Sequence, residues 1–487
     1  MRLNLLASVE EVLATADLIC IPSSKALLNN IHTDVLSLLI PSETLPSASE
    51  LNLQNHSIVL FYGQWKGRRI KILISSEGDQ LSEASAYTSS KRLSIRAKAE
   101  CAEKIGLLVN HITDPEVITT VFTGWTAGLY DLGLYKNGSA ENGKKNKPEL
   151  YTYLTDDLSK SANDGITIGL VQREVMDLVN TPSSHKSPSV LSEWAVSSAA
   201  KYHYDTTIIE KEELKNLGMH ALLAVNRGSE HPARCIVTHY KHPEAAKKVI
   251  VVGKGVIFDT GGISIKLSKN MHYMKSDMAG AAAALGTVEA CARLGLKVDI
   301  MAVAPLTDNS IDNTAIKPGD VISSFAGKTI EVIDTDAEGR LILADALAYA
   351  VKEFKPDVLI DMATLTGSII TSLGPHAAGL FTKDDDLAYS LYSAGETSGE
   401  RVWRMPMYDE YHDDMQSDIA DIKNLSDKPY AGATTAAKFL EYFTADHPSW
   451  AHLDIAGMAF QSNGFGKSYC ATGYGVRLMV KWLRRFE

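Results

Sequence analysis

Short apolar runs alternate with helical patterns along the chain, and the second half shows this alternation most regularly. The pattern predicts buried strands at Val249–Phe258, Val298–Pro305, Ile330–Ile333 and Val358–Ala363, and helices at Asp277–Leu294 and Gly339–Phe354. Near-continuous apolar strands that alternate with helices indicate a parallel or mostly parallel sheet covered on both faces. The second half therefore predicts one large α/β domain.

The first 160 residues show a less regular version of the same alternation. Apolar runs at Ser57–Tyr62 and Ile70–Ile74 precede a long amphipathic stretch from Ser90 to about His111. A helix predicted from about Ala162 to Leu178 comes before Pro182, which cannot continue it. The predicted fold class is α/β, with a smaller N-terminal α/β domain at 1–160, a linker helix and boundary at 161–184, and a larger C-terminal domain at 185–487. The central sheet of that larger domain is expected to be mostly parallel and flanked by helices.

Composition and charge narrow the class of protein. The apolar fraction of 45% and the charged fraction of 22% are those of an ordinary soluble globular protein. A net charge of −11 argues against a chain built mainly to bind nucleic acid or anionic lipid, although a local basic patch stays compatible with it. Five scattered cysteines without a C-x-x-C pair fit a reducing compartment. Because acidic residues interrupt the N-terminal apolar segment and no run approaches about 20 apolar residues, we expect a cytoplasmic protein without a membrane partner.

The octapeptide at 334–341 carries the densest chemistry of the chain. Asp336 and Glu338 stand two positions apart, Gly339 lets the backbone bend, and Arg340 follows. The octapeptide lies between an apolar run and a helical pattern. Carboxylates crowded into such a turn repel one another unless a cation neutralises them. The sequence therefore predicts a metal site here.

A second stretch, residues 253–277, supplies further charged groups. Lys254 lies inside an apolar strand, Asp259 ends that strand, Lys266 follows a Gly-Gly turn, and Asp277 opens the Ala-rich helix. Ligands of parallel sheets bind at the carboxyl ends of the strands. We therefore expect the four carboxylates and three cations of the two stretches to converge at strand ends of one sheet.

Each of these residues also has a simpler interpretation when it is taken alone. Asp277 could be a helix N-cap, and Lys254 could extend its amine towards solvent from the strand. Asp259 could accept hydrogen bonds from turn amides. Lys266 and Arg340 could be surface charges. The joint occurrence of all seven charged groups favours the metal site over this set of separate explanations.

The chemistry of the side chains restricts the ligand. A P-loop requires G-x-x-x-x-G-K-[ST], which is absent, so phosphate binding by the Gly-rich turn is a weak alternative. His272 has no histidine partner at ligand spacing and is interpreted as a non-ligand. Four carboxylates suit Mn²⁺ or Mg²⁺, and also Zn²⁺ when two ions share bridging carboxylates. Two ions about 3.5–4 Å apart can activate a water while they orient a substrate. A lysine amine can join such a site only when it is deprotonated, which adjacent dications favour.

On these residues the chain resembles the M17 leucine aminopeptidase family, also called cytosol aminopeptidase. The family signature N-T-D-A-E-G-R-L is present except that Asp334 replaces its Asn. Residues 253–266 resemble the family's metal-binding strand, and 277–280 resemble its D-M-G-G helix start with Ala279 in place of Gly. The resemblance covers about 165–487, with further matches at Leu178–Pro182, Ala363–Gly367, Trp450–Gly457 and Ala471–Leu478.

The resemblance implies two divalent metal ions per subunit, Mn²⁺ or Zn²⁺. It implies one site formed by Lys254, Asp259, Asp277 and Glu338, and a second formed by Asp259, Asp336 and Glu338. It further implies that Arg340 holds a bicarbonate ion acting as general base. Lys266 would stabilise the charge that develops on the scissile carbonyl. Peptide hydrolysis needs an activated water, an electrophile and a proton shuttle, and these groups would supply all three.

The resemblance also implies a peptide substrate with a free N-terminus, because a neutral α-amine can bind one metal and an acylated amine cannot. Four positions match those that line the family's first side-chain pocket or bind the substrate backbone: Met274, Thr364, Leu365 and Gly367. A pocket lined by Met and Leu fits leucine and other apolar first residues, although these side chains are more often core. The family implies a homohexamer with its catalytic domains clustered centrally. We assign 185–487 as the catalytic metallopeptidase domain, and an oligomerisation or regulatory role for 1–160 stays open.

Other functions stay open at this point. A catalytically silent homologue would have lost ligands, and this chain keeps them all. DNA binding occurs in some bacterial members of the family, but the net charge of −11 speaks against it. Cysteinylglycine hydrolysis and a two-metal phosphatase activity are further alternatives. Asp334 either adds negative potential near the metals or only caps a turn, and we favour the turn because Asp and Asn both do this.

Overall fold

The computed structural model describes residues 3–24, 37–39, 57–77, 79–133, 135–136 and 148–487. The chain divides into two compact units. The first comprises 1–173, 397–399 and 464–467, and the second comprises 174–396, 400–463 and 468–487. The change at 173–174 occurs inside the helix Asp156–Asn180, and it falls within the segment 161–184 where the sequence predicts the boundary. The roles assigned to these segments stay predictions.

The first unit is a six-stranded sheet with helices. Its strands are β1 Leu3–Leu5, β2 Leu18–Ser23, β3 Ser57–Trp65, β4 Arg68–Ser76, β5 Lys104–Leu107 and β6 Glu149–Thr152, in the order β1-β6-β5-β2-β4-β3. Only the edge pair β3 and β4 is antiparallel among these neighbours. Its described helices are Val9–Thr15, Ser37–Leu39, Glu83–Ala99, Pro115–Gly128 and most of Asp156–Asn180. This confirms the smaller N-terminal α/β domain.

The amphipathic stretch from Ser90 to about His111 is not one element. Its helix ends at Ala99, and Cys101 then takes a left-handed backbone conformation with φ 54°. The chain continues as β5, whose three apolar residues are buried in the sheet. The stretch therefore contains two elements, a helix that ends at Ala99 and a separate strand. Its apolar positions alone made the strand look like a continuation of the helix.

The second unit contains the remaining strands. They are β7 Asp205–Ile209, β8 Arg234–Lys241, β9 Lys248–Gly253, β10 Gly255–Asp259, β11 Asp299–Asn309, β12 Val321–Ser323, β13 Thr329–Glu331, β14 Val358–Ala363, β15 Ala378–Phe381, β16 Val402–Arg404, β17 Ile422–Lys423, β18 Trp450–Asp454, β19 Phe460–Gln461 and β20 Cys470–Ala471. A nine-stranded sheet has the order β16-β15-β18-β14-β9-β11-β8-β7, with β10 also paired to β11. β12, β13 and β17 form a separate three-stranded sheet, and β19 pairs with β20.

Helices surround this sheet. They are Pro188–Tyr202, Lys211–Leu217, His220–Val225, Ala279–Leu294, Glu338–Phe354, Gly367–Leu373, Asp385–Ser398, Glu410–Asp413, Gly432–Glu441 and Val476–Leu483, with 3₁₀ turns at Ser183–His185, Asn226–Gly228, Met271–Ser276 and Arg484–Phe486. Over the ranges that the structure describes, no helix has both the length and the apolar composition needed to cross a membrane.

The centre of the large sheet is parallel, as the apolar runs predict. β18, β14, β9 and β11 are parallel neighbours, whereas β15, β8 and β7 add antiparallel pairs towards the edges. Every residue of β11 is buried, and so are all of β9 except Lys248. Burial on both faces explains why these strands lack polar alternation. The larger domain with a mostly parallel central sheet is confirmed.

Three details of the predicted elements differ in the structure. The strand predicted at Val249–Phe258 is divided at Lys254 into β9 and β10. Asp277 follows the 3₁₀ turn Met271–Ser276 and does not open the helix, which begins at Ala279. The strand before the octapeptide is β13, which pairs with β12 and β17 and not with the large sheet. The expectation that all the charged groups follow strand ends of one sheet was therefore wrong.

Candidate metal centre

Four buried or half-buried carboxylates come from three separate segments. Asp259 ends β10, Asp277 follows the 3₁₀ turn, and Asp336 and Glu338 belong to the octapeptide at the start of the helix Glu338–Phe354. Within the described part of the chain, Asp259, Asp336 and Glu338 place carboxylate oxygens within 4.8 Å of one another. The structure thus brings together the acidic residues that the sequence singles out.

Lys254 links the fourth carboxylate to this group. Its ammonium lies 2.7 Å from Asp277 Oδ2 and 3.0 Å from Glu338 Oε1, and it donates a 3.0 Å hydrogen bond to the carbonyl oxygen of Thr364. The side chain is buried and does not extend into solvent. A Cβ at Gly339 would lie 2.4 Å from Lys254 Cε, so a glycine in the octapeptide makes room for this lysine.

Lys266 contacts the other side of the carboxylate group. Its Nζ lies 2.8 Å from Asp259 Oδ2 and 2.5 Å from Asp336 Oδ1, and its side chain is 22% exposed. Gly261 and Gly262, both with positive φ, form the turn that returns the chain to this position. Lys266 is therefore an accessible cation at the edge of a buried acidic cluster.

Asp259 is oriented by neighbours on two strands. Its Oδ1 accepts 2.8 Å hydrogen bonds from the Gly261 N–H and from Asn309 Nδ2. Asn309 ends β11 and also donates to the carbonyl oxygen of Thr335. Asp259 therefore does accept a turn amide, as the simpler interpretation predicts, but only through Oδ1. Its Oδ2 faces Lys266. Sequence reasoning missed Asn309, although a polar residue at the carboxyl end of a buried strand is a usable signal.

Arg340 is buried, which excludes the interpretation as a surface charge. Its Nη1 donates a 2.7 Å hydrogen bond to the main-chain carbonyl of Asn424. Burial lowers the pKa of Arg340 to about 10, although Glu338, Asp454 and Asp334 act in the opposite direction. Asn424 was also missed, because a lone Asn far along the chain carries no sequence signal.

The predicted substrate-binding residues lie on two segments. Thr364 donates through Oγ1 to Asp277 Oδ1 at 2.8 Å, and the Met274 carbonyl accepts the Asp277 N–H at 3.2 Å. Leu365 donates its N–H to Asp454 Oδ1 at 3.1 Å, and Gly367 begins the helix Gly367–Leu373. Thr364 and Met274 therefore contact the acidic centre directly. Asp454 was missed, although it lies in the matched segment Trp450–Gly457.

Burial and mutual repulsion raise the pKa of three of these acids, Asp277, Asp336 and Glu338. Burial, together with Glu338 and Asp259, raises the pKa of Asp277 well above its ordinary value. The same causes raise the pKa of Glu338 and bring that of Asp336 to about 6. Burial alone would lower the pKa of Lys254 and Lys266, but the surrounding carboxylates outweigh it and raise both. The cluster is an electrostatically costly arrangement that positive charge stabilises.

The donor set fits divalent cations. Both oxygens of Glu338 are buried and accept no hydrogen bond within the described structure, and the same is true of Asp277 Oδ2 and Asp336 Oδ1. Three of these oxygens, Asp277 Oδ2, Glu338 Oε1 and Asp336 Oδ1, contact a lysine ammonium. Several convergent carboxylates with free lone pairs are the ligands that hard or borderline dications prefer.

Asp334 caps the turn that carries the acids. Its Oδ1 accepts a 2.8 Å hydrogen bond from the Asp336 N–H. This is an Asx turn, which Asp and Asn both form. The geometry agrees with the interpretation that Asp334 has a local backbone role.

Substitution Asp334→Asn is therefore expected to change the affinity for Mn²⁺ by less than about threefold, because the Asn oxygen accepts the same N–H. Asp334→Ala, which removes the acceptor, is the matched comparison and is expected to lower Mn²⁺ affinity more. A large loss in Asp334→Asn would instead assign a role to the negative charge.

The chain is similar to known proteins in both sequence and structure. Residues 174–480 match the model described as the cytosol aminopeptidase family, catalytic domain. A protein named probable cytosol aminopeptidase from Chlorobaculum tepidum is 46% identical over 382 residues, covering 76% of each chain. One from Chlorobium phaeobacteroides is 40% identical over 458 residues, covering 90% of this chain and 91% of the relative. The solved structure of the bottromycin maturation enzyme BotP in complex with Mn has a TM-score of 0.83 and 29% identity, and the match covers 96% of this chain and 99% of BotP.

Proposed function

Because this chain belongs to the cytosol aminopeptidase family, peptidase M17, and is therefore a metallo-exopeptidase, we propose that it removes leucine and other apolar residues from the N-terminus of peptides. The observation that carries the proposal is the convergence of Asp259, Asp336 and Glu338, with Lys254 holding Asp277 beside them. Peptide hydrolysis requires polarisation of an amide carbonyl, and a buried acidic cluster of this kind is suited to binding the cations that provide it.

The proposed centre binds two divalent ions, Mn²⁺ or Zn²⁺. We assign one site to Lys254, Asp259, Asp277 and Glu338 and the other to Asp259, Asp336 and Glu338. When bound, the ions supply an activated water, a Lewis acid for the scissile carbonyl and a site for a free α-amine. The Mn complex of BotP supports Mn²⁺, and the buried carboxylate oxygens that accept no hydrogen bond within the described residues support the ligand assignment.

Lys266 is proposed as the electrophile that stabilises the transition state. Its partly exposed ammonium is held by Asp259 and Asp336, so its position at the edge of the centre is fixed. A fixed cation at this edge can donate to a carbonyl oxygen as that oxygen gains negative charge. The effect is larger in a site screened from water than it would be at the surface.

Arg340 is proposed to hold bicarbonate as the general base. One of its nitrogens donates to the Asn424 carbonyl, while its buried Nε has no hydrogen-bond partner within the described structure. A guanidinium with donors to spare suits a planar oxyanion. Among the residues of the centre, Lys266 and Arg340 are poor bases because they are charged, and the amine of Lys254 is a proposed metal ligand, so a bound anion supplies the missing proton acceptor.

We also propose that Met274, Thr364, Leu365 and Gly367 bind the first substrate residue. The contacts of Thr364 and Met274 with Asp277 support this assignment, because they bring both segments to the edge of the centre. We further propose that the protein forms a homohexamer in the cytoplasm. The relatives are named cytosol aminopeptidases, which supports the cytoplasmic location.

Hydrolysis of leucine p-nitroanilide in the presence of Mn²⁺ tests the proposed function. Wild-type protein is expected to hydrolyse this substrate, and Asp336→Ala is expected to lose at least about 100-fold in kcat/KM because it removes a proposed metal ligand. N-acetyl-leucine p-nitroanilide is the matched control substrate, and it should not be cleaved because its acylated amine cannot bind a metal. Equal activity of wild type and variant would refute the proposal.

A further inference from the structure

Asn424 lies beside the octapeptide although 84 residues separate it from Arg340. It follows β17, which pairs in parallel with β13, and its N–H continues this ladder with a 2.9 Å hydrogen bond to the Glu331 carbonyl. Its side chain is fully buried. The small three-stranded sheet therefore delivers this residue to the beginning of the acidic turn.

The side-chain amide of Asn424 is directed at the backbone of that turn. Its Oδ1 accepts from the N–H groups of Ile333 at 2.7 Å and Asp334 at 3.3 Å. Its Nδ2 donates to the carbonyls of Asp334 at 2.7 Å and Ala337 at 3.4 Å. A carboxamide presents both a carbonyl acceptor and two donors, so it can satisfy this set where a carboxylate or a hydroxyl cannot.

The main chain of the same residue holds Arg340. The Asn424 carbonyl accepts the 2.7 Å hydrogen bond from Arg340 Nη1, and both groups are buried. Asn424 thus contacts the segment that carries Asp336 and Glu338 through its side chain, and the guanidinium through its backbone. Asn424 thus links the guanidinium of Arg340 to the backbone of the acidic turn.

We propose that Asn424 is a positioning residue that holds the turn 334–338 in a metal-binding conformation before any metal is present, and that it fixes Arg340 relative to that turn. The inference rests on the proposed function of the centre. Partners that orient metal ligands typically contribute 10–100-fold to metal affinity or activity. The Asx turn of Asp334 contacts only the Asp336 N–H, so it does not hold the guanidinium of Arg340 or tie the turn to β17.

Mn²⁺ binding by the full-length protein tests this proposal independently of activity. Wild type and Asn424→Ala are titrated with Mn²⁺, and free Mn²⁺ is followed by electron paramagnetic resonance. We expect at least one of the two dissociation constants to rise by about 10–100-fold in Asn424→Ala. Two unchanged dissociation constants in a folded variant would overturn the proposal.

Asp345→Asn is the matched structural control. Asp345 is buried in the same helix, Glu338–Phe354, and its carboxylate accepts backbone N–H groups of Leu222 at 2.9 Å and Phe325 at 2.7 Å. Its loss is expected to lower the thermal unfolding midpoint while Mn²⁺ affinity stays unchanged. Equal loss of affinity in both variants would mean that general destabilisation, and not positioning by Asn424, governs the site.

Hydrogen exchange of the metal-free wild type keeps the proposal testable if Asn424→Ala does not fold. The amides of Ile333 and Asp334 are expected to exchange slowly both without and with Mn²⁺, because Asn424 binds them in either state. Fast exchange that becomes slow only after Mn²⁺ addition would overturn the proposal. Absence of leucine p-nitroanilide hydrolysis by wild type would instead contradict the proposed function, so the two failures are distinguishable.

Discussion

Replacing Glu338 with glutamine is expected to lower kcat/KM for leucine p-nitroanilide by more than about 1,000-fold. Glu338 is the proposed ligand shared by both metal sites together with Asp259, and both of its oxygens are buried and accept no hydrogen bond within the described ranges apart from the ion pair of Oε1 with Lys254. Glutamine keeps the volume but removes the charge and one of the two oxygens, and its remaining oxygen can face the ammonium of Lys254, which lies 3.0 Å from Glu338 Oε1. The variant therefore loses the second oxygen that a bridging ligand needs.

Steady-state kinetics and Mn²⁺ content should be measured on the same preparation. The matched control is Glu353→Gln, because Glu353 lies on the same helix but is exposed, and its activity should equal that of wild type. A Glu338→Gln variant that retains activity within about threefold of wild type would rule out the proposed ligand set. Loss of activity with full metal content would instead assign Glu338 to a step after metal binding.

The residues of the centre were predictable because their chemistry is local. Asp336, Glu338 and Arg340 stand within five positions of one another, and Asp259 and Lys266 flank a Gly-Gly turn. Several acidic residues close together beside glycines indicate a metal site, and this signal does not depend on how the strands are paired. The structure brings these residues together as the sequence indicates, while their catalytic roles stay proposals.

The topology that brings them together was less predictable. The apolar run before the octapeptide was expected in the large sheet, yet β13 pairs with β12 and with β17, which lies about 90 residues further along. Strand partners are chosen by long-range packing, which a local apolar pattern does not encode. The charged residues therefore come together as expected, but the strand before the octapeptide belongs to the three-stranded sheet and not to the large one.

The supporting residues show a second limit of sequence reasoning. Asn309, Asn424 and Asp454 contribute hydrogen bonds to the backbone or side chains of the centre, but each is a single polar residue with no periodic signal. Their importance arises only when the fold places a donor or an acceptor opposite them. Asp454 lies inside the segment Trp450–Gly457, which matches the family. The resemblance therefore marked this segment but did not indicate what Asp454 contacts.

Replacing Lys266 with glutamine is expected to lower kcat by about 100- to 1,000-fold and to change KM by only a few-fold, because Lys266 is proposed to act on charge that develops in the transition state. Its ammonium lies within 2.8 Å of Asp259 and Asp336, and its side chain is the partly exposed cation of the centre. Lys269→Gln is the matched control, since Lys269 is an exposed lysine in the same loop. It is expected to behave as wild type.

Metal binding separates this role from a structural one. Lys266 places positive charge against two proposed metal ligands, so its removal should preserve or increase Mn²⁺ affinity, whereas removal of a ligand should decrease it. A raised KM with unchanged kcat would assign Lys266 to ground-state binding of the substrate. Weaker Mn²⁺ binding would mean that the lysine organises the carboxylates. Only a loss of kcat with retained metal fits an electrophile that acts in the transition state.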